Sequence, residues 1–333
     1  MQNNSTKAWQ LLKKTDKVGT YRVANLNAGT QYSFAIKAYR TANGQEITSA
    51  TFPVLKVTTK PANVTGFKVK AVSANAVKLV CNAVKGAQGY LIYEYDNAKS
   101  AWSRIEKTTN NNTTFLIKNL KPGREYKYAI KAYRIENKTA LTSPSIAQTT
   151  TVTKLAKVTG IRSTSTQNAV HLAWDKVAGA KGYIVYDHQN GKWHRLATVT
   201  ANSFTAKNIT AGKSCWFAVR AYKNVGGQEI ASVSFDTYKT STNPARAEFT
   251  VNAGTRRAVV KWTKVAGATG HIVYFKTSAN GKWQKLLDST TDTQFVKAGL
   301  ASGRTYYFTV KAYKNYNGMT FNGAFTTKAI KVK

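Results

Sequence analysis

Hydrophobic and polar positions alternate with period two in four segments of the chain, and each segment contains a variant of the word KAYR. The segments read LNAGTQYSFAIKAYR from Leu26, LKPGREYKYAIKAYR from Leu120, ITAGKSCWFAVRAYK from Ile209 and LASGRTYYFTVKAYK from Leu300. Alternation with this period is typical of a half-buried β-strand. Each segment is therefore predicted to be a turn followed by a strand.

Three copies carry a second pair of apolar stretches upstream, joined by a glycine-bearing turn. They read VKLVCNAVKGAQGYLIYEY from Val77, VHLAWDKVAGAKGYIVYDH from Val170 and AVVKWTKVAGATGHIVYFK from Ala258. Trp174 and Trp262 occupy one inward column, which Cys81 takes in the earlier copy. A further strand is predicted to begin at a tryptophan in every copy, at Trp9, Trp102, Trp193 and Trp283.

The copies of the word begin at residues 37, 131, 220 and 311, which makes the repeat 94, 89 and 91 residues long. Units of this length each carry their own core. Short strands broken by turns, without helical periodicity, favour β-sandwiches. The predicted fold class is all-β, with tandem immunoglobulin-like sandwiches arranged as beads on a string. The predicted domains are a partial repeat 1 at 1–60 and complete repeats 2, 3 and 4 at 61–154, 155–243 and 244–333.

Several motifs resemble fibronectin type III domains. Leu120 with Tyr126, like the matching pairs in repeats 1 and 4, resembles the tyrosine corner that opens strand F of that family. The tryptophan of strand B, the GY-x-V of strand C and the boundary words TKPANVTGFKV and TKLAKVTGIRS are similar as well. The boundary words are especially similar to tandem repeats in surface or secreted proteins of Gram-positive gut bacteria of the Firmicutes type. The resemblance covers essentially the whole chain.

Two repeats depart from the family pattern. Repeat 3 has Cys215 in place of the corner tyrosine, so the hydroxyl bond is absent and a loss of about one or two kcal/mol is expected. Repeat 1 is predicted to hold strands C′ to G only, because few residues precede Trp9. A half sandwich exposes its inner face. Strands A to C are expected from upstream sequence or from another chain by strand addition.

The chain has 50 Lys and Arg against 14 Asp and Glu, a formal charge of +36. The excess is +7, +10, +7 and +12 in repeats 1 to 4, so it is spread along the chain. Two interpretations stay open. The charge either solvates the surface or favours contact with polyanions such as wall polymers, acidic glycans, anionic membrane surfaces or nucleic acid.

Residue types that support catalysis or metal binding are few and scattered. Cys81 and Cys215 lie in different repeats, which excludes a disulfide framework, and both are expected to point into cores. His188 and His194 flank a hairpin tip near Asp187, and solvated histidines are expected there. The carboxylates fall in unrelated columns. No catalytic residue, cofactor or metal is predicted, and enzyme activity is expected only in a domain outside this chain.

Alternation places aromatic and cationic side chains on the outer face of one sheet in each complete repeat. If Ala132 and its counterparts Ala221 and Ala312 point inward, the Lys or Arg and the Tyr beside each point outward. The same rule puts a strand C tyrosine and the strand C′ tryptophan outside. The predicted ligand-facing residues are Tyr93, Trp102, Lys131, Tyr133, Tyr186, Trp193, Arg220, Tyr222, Tyr274, Trp283, Lys311 and Tyr313.

Two interpretations compete for this face. Cross-strand aromatic pairs and lysine stems lying on rings stabilise a solvent-facing sheet by a few tenths to about one kcal/mol each. Flat rings beside cations also suit a sugar polymer or a stacked base. The loop between strands F and G of repeat 4, with Tyr316 and Phe321, is a second candidate recognition site.

The sequence thus predicts a non-catalytic extracellular or cell-surface spacer and adhesion module that gains avidity from repeated weak contacts. The alternative function is binding of polyanionic or neutral cell-wall or host glycans through the outward Tyr, Trp and Lys residues. Charge-driven nucleic-acid binding is a further alternative, although evenly spaced charge predicts no dedicated nucleic-acid site. No run approaches 18 apolar residues, so no membrane span is predicted, and any export signal is expected outside this chain.

Overall fold

The computed structural model describes residues 1–2 and 7–333, and within them the only regular secondary structure is β-strand. The chain divides into two compact units, Met1–Lys154 and Leu155–Lys333. The predicted all-β class of tandem sandwiches is confirmed, because eight strands in two antiparallel sheets form in each stretch predicted as a complete repeat. The described residues contain no helix long and apolar enough to cross a membrane.

The first unit contains twelve strands. Those of repeat 1 are β1 (Gln31–Ala35), β2 (Tyr39–Ala42), β3 (Gln45–Thr48) and β4 (Val54–Thr58). Those of repeat 2 are β5 (Lys68–Val72), β6 (Val77–Val80), β7 (Gly89–Asp96), β8 (Ala101–Lys107), β9 (Thr114–Ile117), β10 (Glu125–Glu136), β11 (Thr139–Thr142) and β12 (Ala147–Val152).

The second unit contains sixteen strands. Those of repeat 3 are β13 (Arg162–Ser165), β14 (Val170–Ala173), β15 (Gly182–Gln189), β16 (Lys192–Val199), β17 (Ser203–Ala206), β18 (Ser214–Val225), β19 (Gln228–Ala231) and β20 (Tyr238–Ser241). Those of repeat 4 are β21 (Phe249–Gly254), β22 (Arg257–Trp262), β23 (Gly270–Lys276), β24 (Gln284–Ser289), β25 (Gln294–Ala298), β26 (Thr305–Tyr316), β27 (Met319–Asn322) and β28 (Lys328–Lys331).

Each sandwich has the strand order of a fibronectin type III-like domain. In repeat 2, strands A, B and E are β5, β6 and β9, and they form a three-stranded sheet. Strands C′, C, F and G are β8, β7, β10 and β12, and the hairpin strand β11 also pairs with β10. The same arrangement recurs in β13–β20 and β21–β28. Every sheet is antiparallel, so its inner face lies on the core while its outer face meets water.

The core of each sandwich lies between its two sheets. Trp174 of repeat 3 is fully buried and packs edge-on against Tyr183, with ring centroids 5.3 Å apart. Cys81 takes this place in repeat 2, where the ring of Phe115 packs on Tyr90 at 5.6 Å. Burial raises the pKa of the Cys81 thiol to about 11, so the thiolate that would act as a nucleophile is scarce.

Strand F begins at a tyrosine corner wherever tyrosine is present. The hydroxyl of Tyr126 accepts a hydrogen bond from the Lys121 backbone N–H at 2.8 Å, and the corners of repeats 1 and 4 make the same bond. In repeat 3 the Cys215 thiol instead donates to the Lys213 carbonyl at 3.4 Å. The substitution therefore removes the bond that fixes the turn before strand F.

A second hydrogen bond between a side chain and the backbone fixes the turn between strands B and C. The hydroxyls of Tyr90 and Tyr183 accept bonds from the backbone N–H groups of Val84 and Val177, at 3.1 and 2.9 Å. His271 replaces the tyrosine in repeat 4. Its Nε2 accepts from the Val265 N–H at 3.2 Å, which requires the neutral ring.

Repeat 1 differs from its prediction. No strand begins at Trp9, which lies in an isolated bridge with Gln2, and the described residues 7–30 contain no named strand. Strand F is also broken, since β1 ends at Ala35 and β2 begins at Tyr39. The interrupted positions match those that pair with strand C in the complete repeats. No strand C is described in repeat 1, so residues 36–38 lack the strand C partner that their counterparts have in the complete repeats, and of their backbone groups only the Ala38 carbonyl is engaged, by the Ser49 N–H at 2.9 Å.

The inner face of repeat 1 is open in its described residues. Ile36, which belongs to the inward column, is 84% exposed, and Leu55 is 64% exposed. Two strand pairs hold this region together, β1 with β4 and β2 with β3. Such pairs are marginal on their own, so repeat 1 is expected to contribute little stability.

We expect Tyr126→Phe to destabilise repeat 2 by about 1 to 2 kcal/mol, because the Lys121 N–H loses its partner. Tyr128→Phe is the matched control two residues away. The Tyr128 hydroxyl is buried without a partner among the described residues, and Phe217 and Phe308 fill this position in the other repeats. The control is therefore expected to be neutral or stabilising. Chemical denaturation of the full chain measures both, and equal losses in the two variants would refute the corner assignment.

We expect repeat 4 to lose stability on acidification through His271. Burial, and secondarily the charge of Lys264, lower the pKa of His271. A histidine whose pKa is lowered by folding contributes full stability above its unfolded value of about 6.5, and this stability falls as the pH drops below it. His271→Tyr, which restores the tyrosine of repeats 2 and 3, is expected to flatten this dependence. Unfolding of the full chain at pH 7 and pH 5 tests this, and an unchanged pH dependence in the variant contradicts it.

Candidate ligand-facing sheet surface

The tyrosine of the KAYR word lies on the outer face and covers a glycine of strand C. Tyr133, Tyr222 and Tyr313 pair with Gly89, Gly182 and Gly270. A Cβ atom on Gly270 would stand 2.7 Å from the Tyr313 hydroxyl and 2.7 Å from the Ser289 carbonyl oxygen. Only glycine leaves room for this crossing ring, which explains the GY pair of strand C.

Two predicted residues are not available to a ligand. Tyr133 is 3% exposed, its hydroxyl donates to the Thr108 carbonyl at 2.6 Å, and the Lys107 ammonium lies 5.0 Å from the ring centre. Phe321, predicted in a recognition loop, lies within β27 and is 8% exposed. Burial, and then a hydrogen bond with Asp288, raise the pKa of Tyr313, so this tyrosine also serves packing.

The Lys or Arg residue of the KAYR word is half-buried and lies on the outer face. Lys131, Arg220 and Lys311 share this position, and the guanidinium of Arg220 donates to the Ser232 carbonyl. The strand C tyrosines Tyr93, Tyr186 and Tyr274 are likewise half-buried. Tyr186 stacks on Phe235, with centroids 6.1 Å apart, so its ring is partly covered.

Trp102 and Trp193 pair with the outward Tyr95 and His188 of strand C, while Trp283 lies one residue before β24. The pairing of strands C and C′ is shifted by a β-bulge in every complete repeat. Ile105 and Leu196 lie at these bulges and are 41% exposed. A bulge re-aims the strand, so counting by twos across it fails.

Each tryptophan begins a line of side chains that crosses the outer face from strand C′ through strand C to strand F, here called a ring row. The ring rows are Trp102, Tyr95 and Lys127 in repeat 2; Trp193, His188, Trp216 and Lys239 in repeat 3; and Trp283, Lys276 and Tyr307 in repeat 4. Every row combines rings with at least one lysine, and none contains a carboxylate.

The ring row of repeat 3 is continuous. His188 lies between two tryptophans, 5.1 Å from Trp193 and 5.0 Å from Trp216 between ring centroids, and it stacks on Trp216 with an interplanar angle of 20°. The Lys239 ammonium, on the neighbouring strand G, lies 4.8 Å from the Trp216 ring. Trp216 remains 38% exposed. The row therefore offers three adjacent rings that end at a cation.

The rows of repeats 2 and 4 carry lysine at different places. In repeat 2, Tyr95 packs edge-on against Trp102 at 5.3 Å, and the Lys127 ammonium lies 5.7 Å from Tyr95. In repeat 4, Lys276 lies between two rings, 4.8 Å from Trp283 and 5.6 Å from Tyr307. Such cation–π contacts hold an ammonium at the level of the rings.

Tyr316, predicted in the F–G loop, is the last residue of β26 and reaches the row of repeat 3, within the second unit. Its hydroxyl accepts a hydrogen bond from the Trp216 indole N–H at 2.6 Å. Asn317 donates to the Lys239 carbonyl at 3.1 Å. The predicted loop residue Tyr316 thus positions an indole of the row.

Three members of the repeat 3 row, His188, Trp216 and Lys239, were not among the ligand-facing residues predicted from the sequence. Trp216 was hidden because its position on strand F holds Lys127 in repeat 2 and Tyr307 in repeat 4. The alternation of strand F nonetheless indicated its direction, because Trp216 lies between the inward Cys215 and Phe217 and must point outward. His188 is packed against tryptophans rather than simply solvated as expected. Among the described residues, no group of three or more His, Cys, Asp or Glu could hold a metal ion.

Comparison with known proteins gives relatives of much greater length. Exoglucanase B of Cellulomonas fimi is 26% identical over 308 residues, 85% of this chain and 27% of that protein. Endoglucanase B of Cellulomonas fimi is 25% identical over 249 residues, 69% of this chain and 23% of that protein. Chitinase A1 of Niallia circulans is 32% identical over 173 residues, 47% of this chain and 22% of that protein. The chain spans about a quarter of the length of these curated relatives.

Solved structures of tandem fibronectin type III domains also match. The FN1–FN3 domains of chicken CNTN1 align over 82% of this chain and 100% of that chain, with 16% identity and a TM-score of 0.33. A two-domain fibronectin type III segment of chicken tenascin aligns over 53% of this chain and 99% of that chain, with 18% identity and a TM-score of 0.34. No protein-family model matches the chain. The strand order described above, and not these scores, defines the fold.

Proposed function

We propose that this chain is a non-catalytic extracellular spacer and adhesion module of a bacterial surface or secreted protein that acts on polysaccharides. The observation that carries the proposal is the way successive repeats are fastened to each other inside each compact unit. The similarity to regions of two glucanases and a chitinase supports the polysaccharide context.

The junction between repeats 3 and 4 is a polar and backbone contact. The ammonium of Lys314, the last letter of the KAYK word, donates to the Gly212 carbonyl at 2.6 Å and to the Ser214 hydroxyl at 2.8 Å. Burial lowers the pKa of Lys314, as expected for an amine partly removed from water. Three donors on one ammonium suit several acceptors on the facing turn.

Paired glycines bring the two backbones together at this junction. A Cβ atom on Gly267, in the turn between strands B and C of repeat 4, would stand 2.6 Å from the Gly212 carbonyl oxygen of repeat 3. The first unit repeats this contact, since a Cβ on Gly86 would stand 2.7 Å from the Gly29 carbonyl oxygen. The same turns thus meet in both units, which favours a fixed orientation between neighbours and hence a stiff spacer.

A second candidate function is glycan association through the ring rows. Its specific support is the recurrence of a partly exposed tryptophan at the strand C′ position of every complete repeat. Weak contacts repeated along one chain gain avidity when geometry lets them engage together.

We expect Lys314→Met to loosen the junction between repeats 3 and 4 while both sandwiches stay folded. The variant loses two charge-assisted hydrogen bonds, and because Lys314 is only half-buried we expect the junction to weaken by about 2 kcal/mol. Spin labels at Lys207→Cys and Asn280→Cys in the full chain report the distance between the repeats, since the native cysteines are buried. A broader distance distribution is expected.

Lys282→Met removes an exposed lysine of repeat 4 and is the matched control. Its distance distribution is expected to equal that of the parent chain. If Lys314→Met leaves the distribution as narrow as the control does, Lys314 does not fasten the repeats and the stiff-spacer proposal fails.

A further inference from the structure

We propose that the ring rows bind an acidic polysaccharide, with sugar rings against the tryptophans and anionic groups against the row lysines. This inference rests on the second candidate function, and it specifies the charge of the glycan. The occupant is one polymer that combines flat apolar sugar faces with carboxylate or similar groups.

The aromatic half of the recognition comes from partly exposed rings, of which Trp216 is 38% exposed. A pyranose ring presents C–H groups on its flat face, and these suit the electron-rich face of an indole. The row of repeat 3 supplies three rings in sequence at separations of 5.1 and 5.0 Å. The bond from Trp216 to Tyr316 holds one indole in a fixed orientation before any ligand arrives.

The anionic half comes from lysines without a carboxylate partner. The ammonium groups of Lys127 and Lys239 take part in none of the ion pairs within 4.0 Å that involve residues 1–2 and 7–333. Both side chains are exposed, and both ammoniums lie over rings, at 5.7 Å from Tyr95 and 4.8 Å from Trp216. An anion on a sugar stacked against the row therefore meets an ammonium that is already in place.

Charge complementarity favours an acidic glycan over a neutral one. The three rows together contain Lys127, Lys239 and Lys276 and no Asp or Glu, in a chain of formal charge +36. A neutral glycan would give the exposed ammoniums of Lys127 and Lys239 no anionic partner, whereas the Lys276 ammonium already donates to the Ala279 carbonyl. A carboxylate beside each stacked ring uses both chemical features of the row.

The flat shape of the surface separates this occupant from single-stranded nucleic acid. Proteins that bind single strands combine stacking rings with a positively charged groove that follows the backbone. The ring rows instead cross the outer face of a sheet, one row in each complete repeat. This arrangement suits several weak contacts to a long, stiff polymer.

The test is titration of the full chain with polygalacturonate, hydroxyethyl cellulose and oligo-dT of similar length, at low and moderate salt. We expect saturable binding of polygalacturonate, weaker at moderate salt, and little binding of hydroxyethyl cellulose. Trp193→Ala with Trp216→Ala is expected to weaken polygalacturonate binding roughly fivefold, and Lys127→Gln with Lys239→Gln and Lys276→Gln roughly tenfold. The lysine variant keeps the test decisive if the double tryptophan variant folds poorly.

Matched controls separate the rows from general charge. Trp9→Ala removes a tryptophan of similar exposure outside the rows. Lys78→Gln, Lys207→Gln and Lys261→Gln together remove three exposed charges on or beside the three-stranded sheets. Both controls are expected to bind polygalacturonate within about twofold of the parent chain.

Four outcomes overturn the inference. Equal losses in the two lysine triples would show binding through diffuse charge, and oligo-dT binding that is tighter and lost in the row variants would assign the rows to nucleic acid. Binding of hydroxyethyl cellulose alone would overturn the acidic class while leaving glycan association intact. Binding of neither polysaccharide would refute both the acidic-glycan inference and glycan association. It would leave the spacer proposal, which the spin-label distances in the Lys314→Met variant test separately.

Discussion

The antiparallel pairing of strand C with strand F is the contact on which the rest of each sandwich depends. It places Gly182 under Tyr222 and Gly270 under Tyr313, it joins strand C′ to the sheet, and it aligns the ring row across three strands. Repeat 1 shows the consequence of losing it. There the middle of strand F has no strand C partner, the strand breaks after Ala35, and the inward Ile36 faces water. Local propensity alone does not hold this strand together.

Much of the fold could be predicted from the sequence, because period-two alternation reports burial directly. The inward columns, Trp174 in the core, the corner at Tyr126 and the exceptional Cys215 all follow from pattern and from resemblance, and the structure places them accordingly. The prediction of a strand beginning at Trp9 was wrong for a physical reason. A tryptophan marks strand C′ only where strand C is present to pair with it, and pairing partners are not encoded in the segment itself.

Less of the candidate surface could be predicted. Alternation gave the side of the sheet but not the accessibility, so Tyr133 was assigned to an outer face where it is in fact covered. Comparison of equivalent positions did not identify His188 and Trp216 either, because each has an aromatic counterpart in one of the other complete repeats and a lysine in the other. A row is a property of the cross-strand register, and register emerges only when strands C′, C and F are assembled, bulges included. The role of Lys314, the fourth residue of the KAYK word, could not be predicted either, because its hydrogen-bond acceptors belong to the preceding repeat.

Trp216 belongs to two structures at once, the ring row of repeat 3 and the junction with repeat 4. A molecule that tilts this indole changes the geometry of its bond to Tyr316, and a bending force between the two repeats changes the face that the indole presents. The stiffness of the junction between repeats 3 and 4 is therefore coupled to the geometry of the ring row of repeat 3. If the row binds a glycan as proposed, linkage requires that bending of this junction alters the affinity of the row by the same free energy with which the bound glycan alters the resistance of the junction to bending.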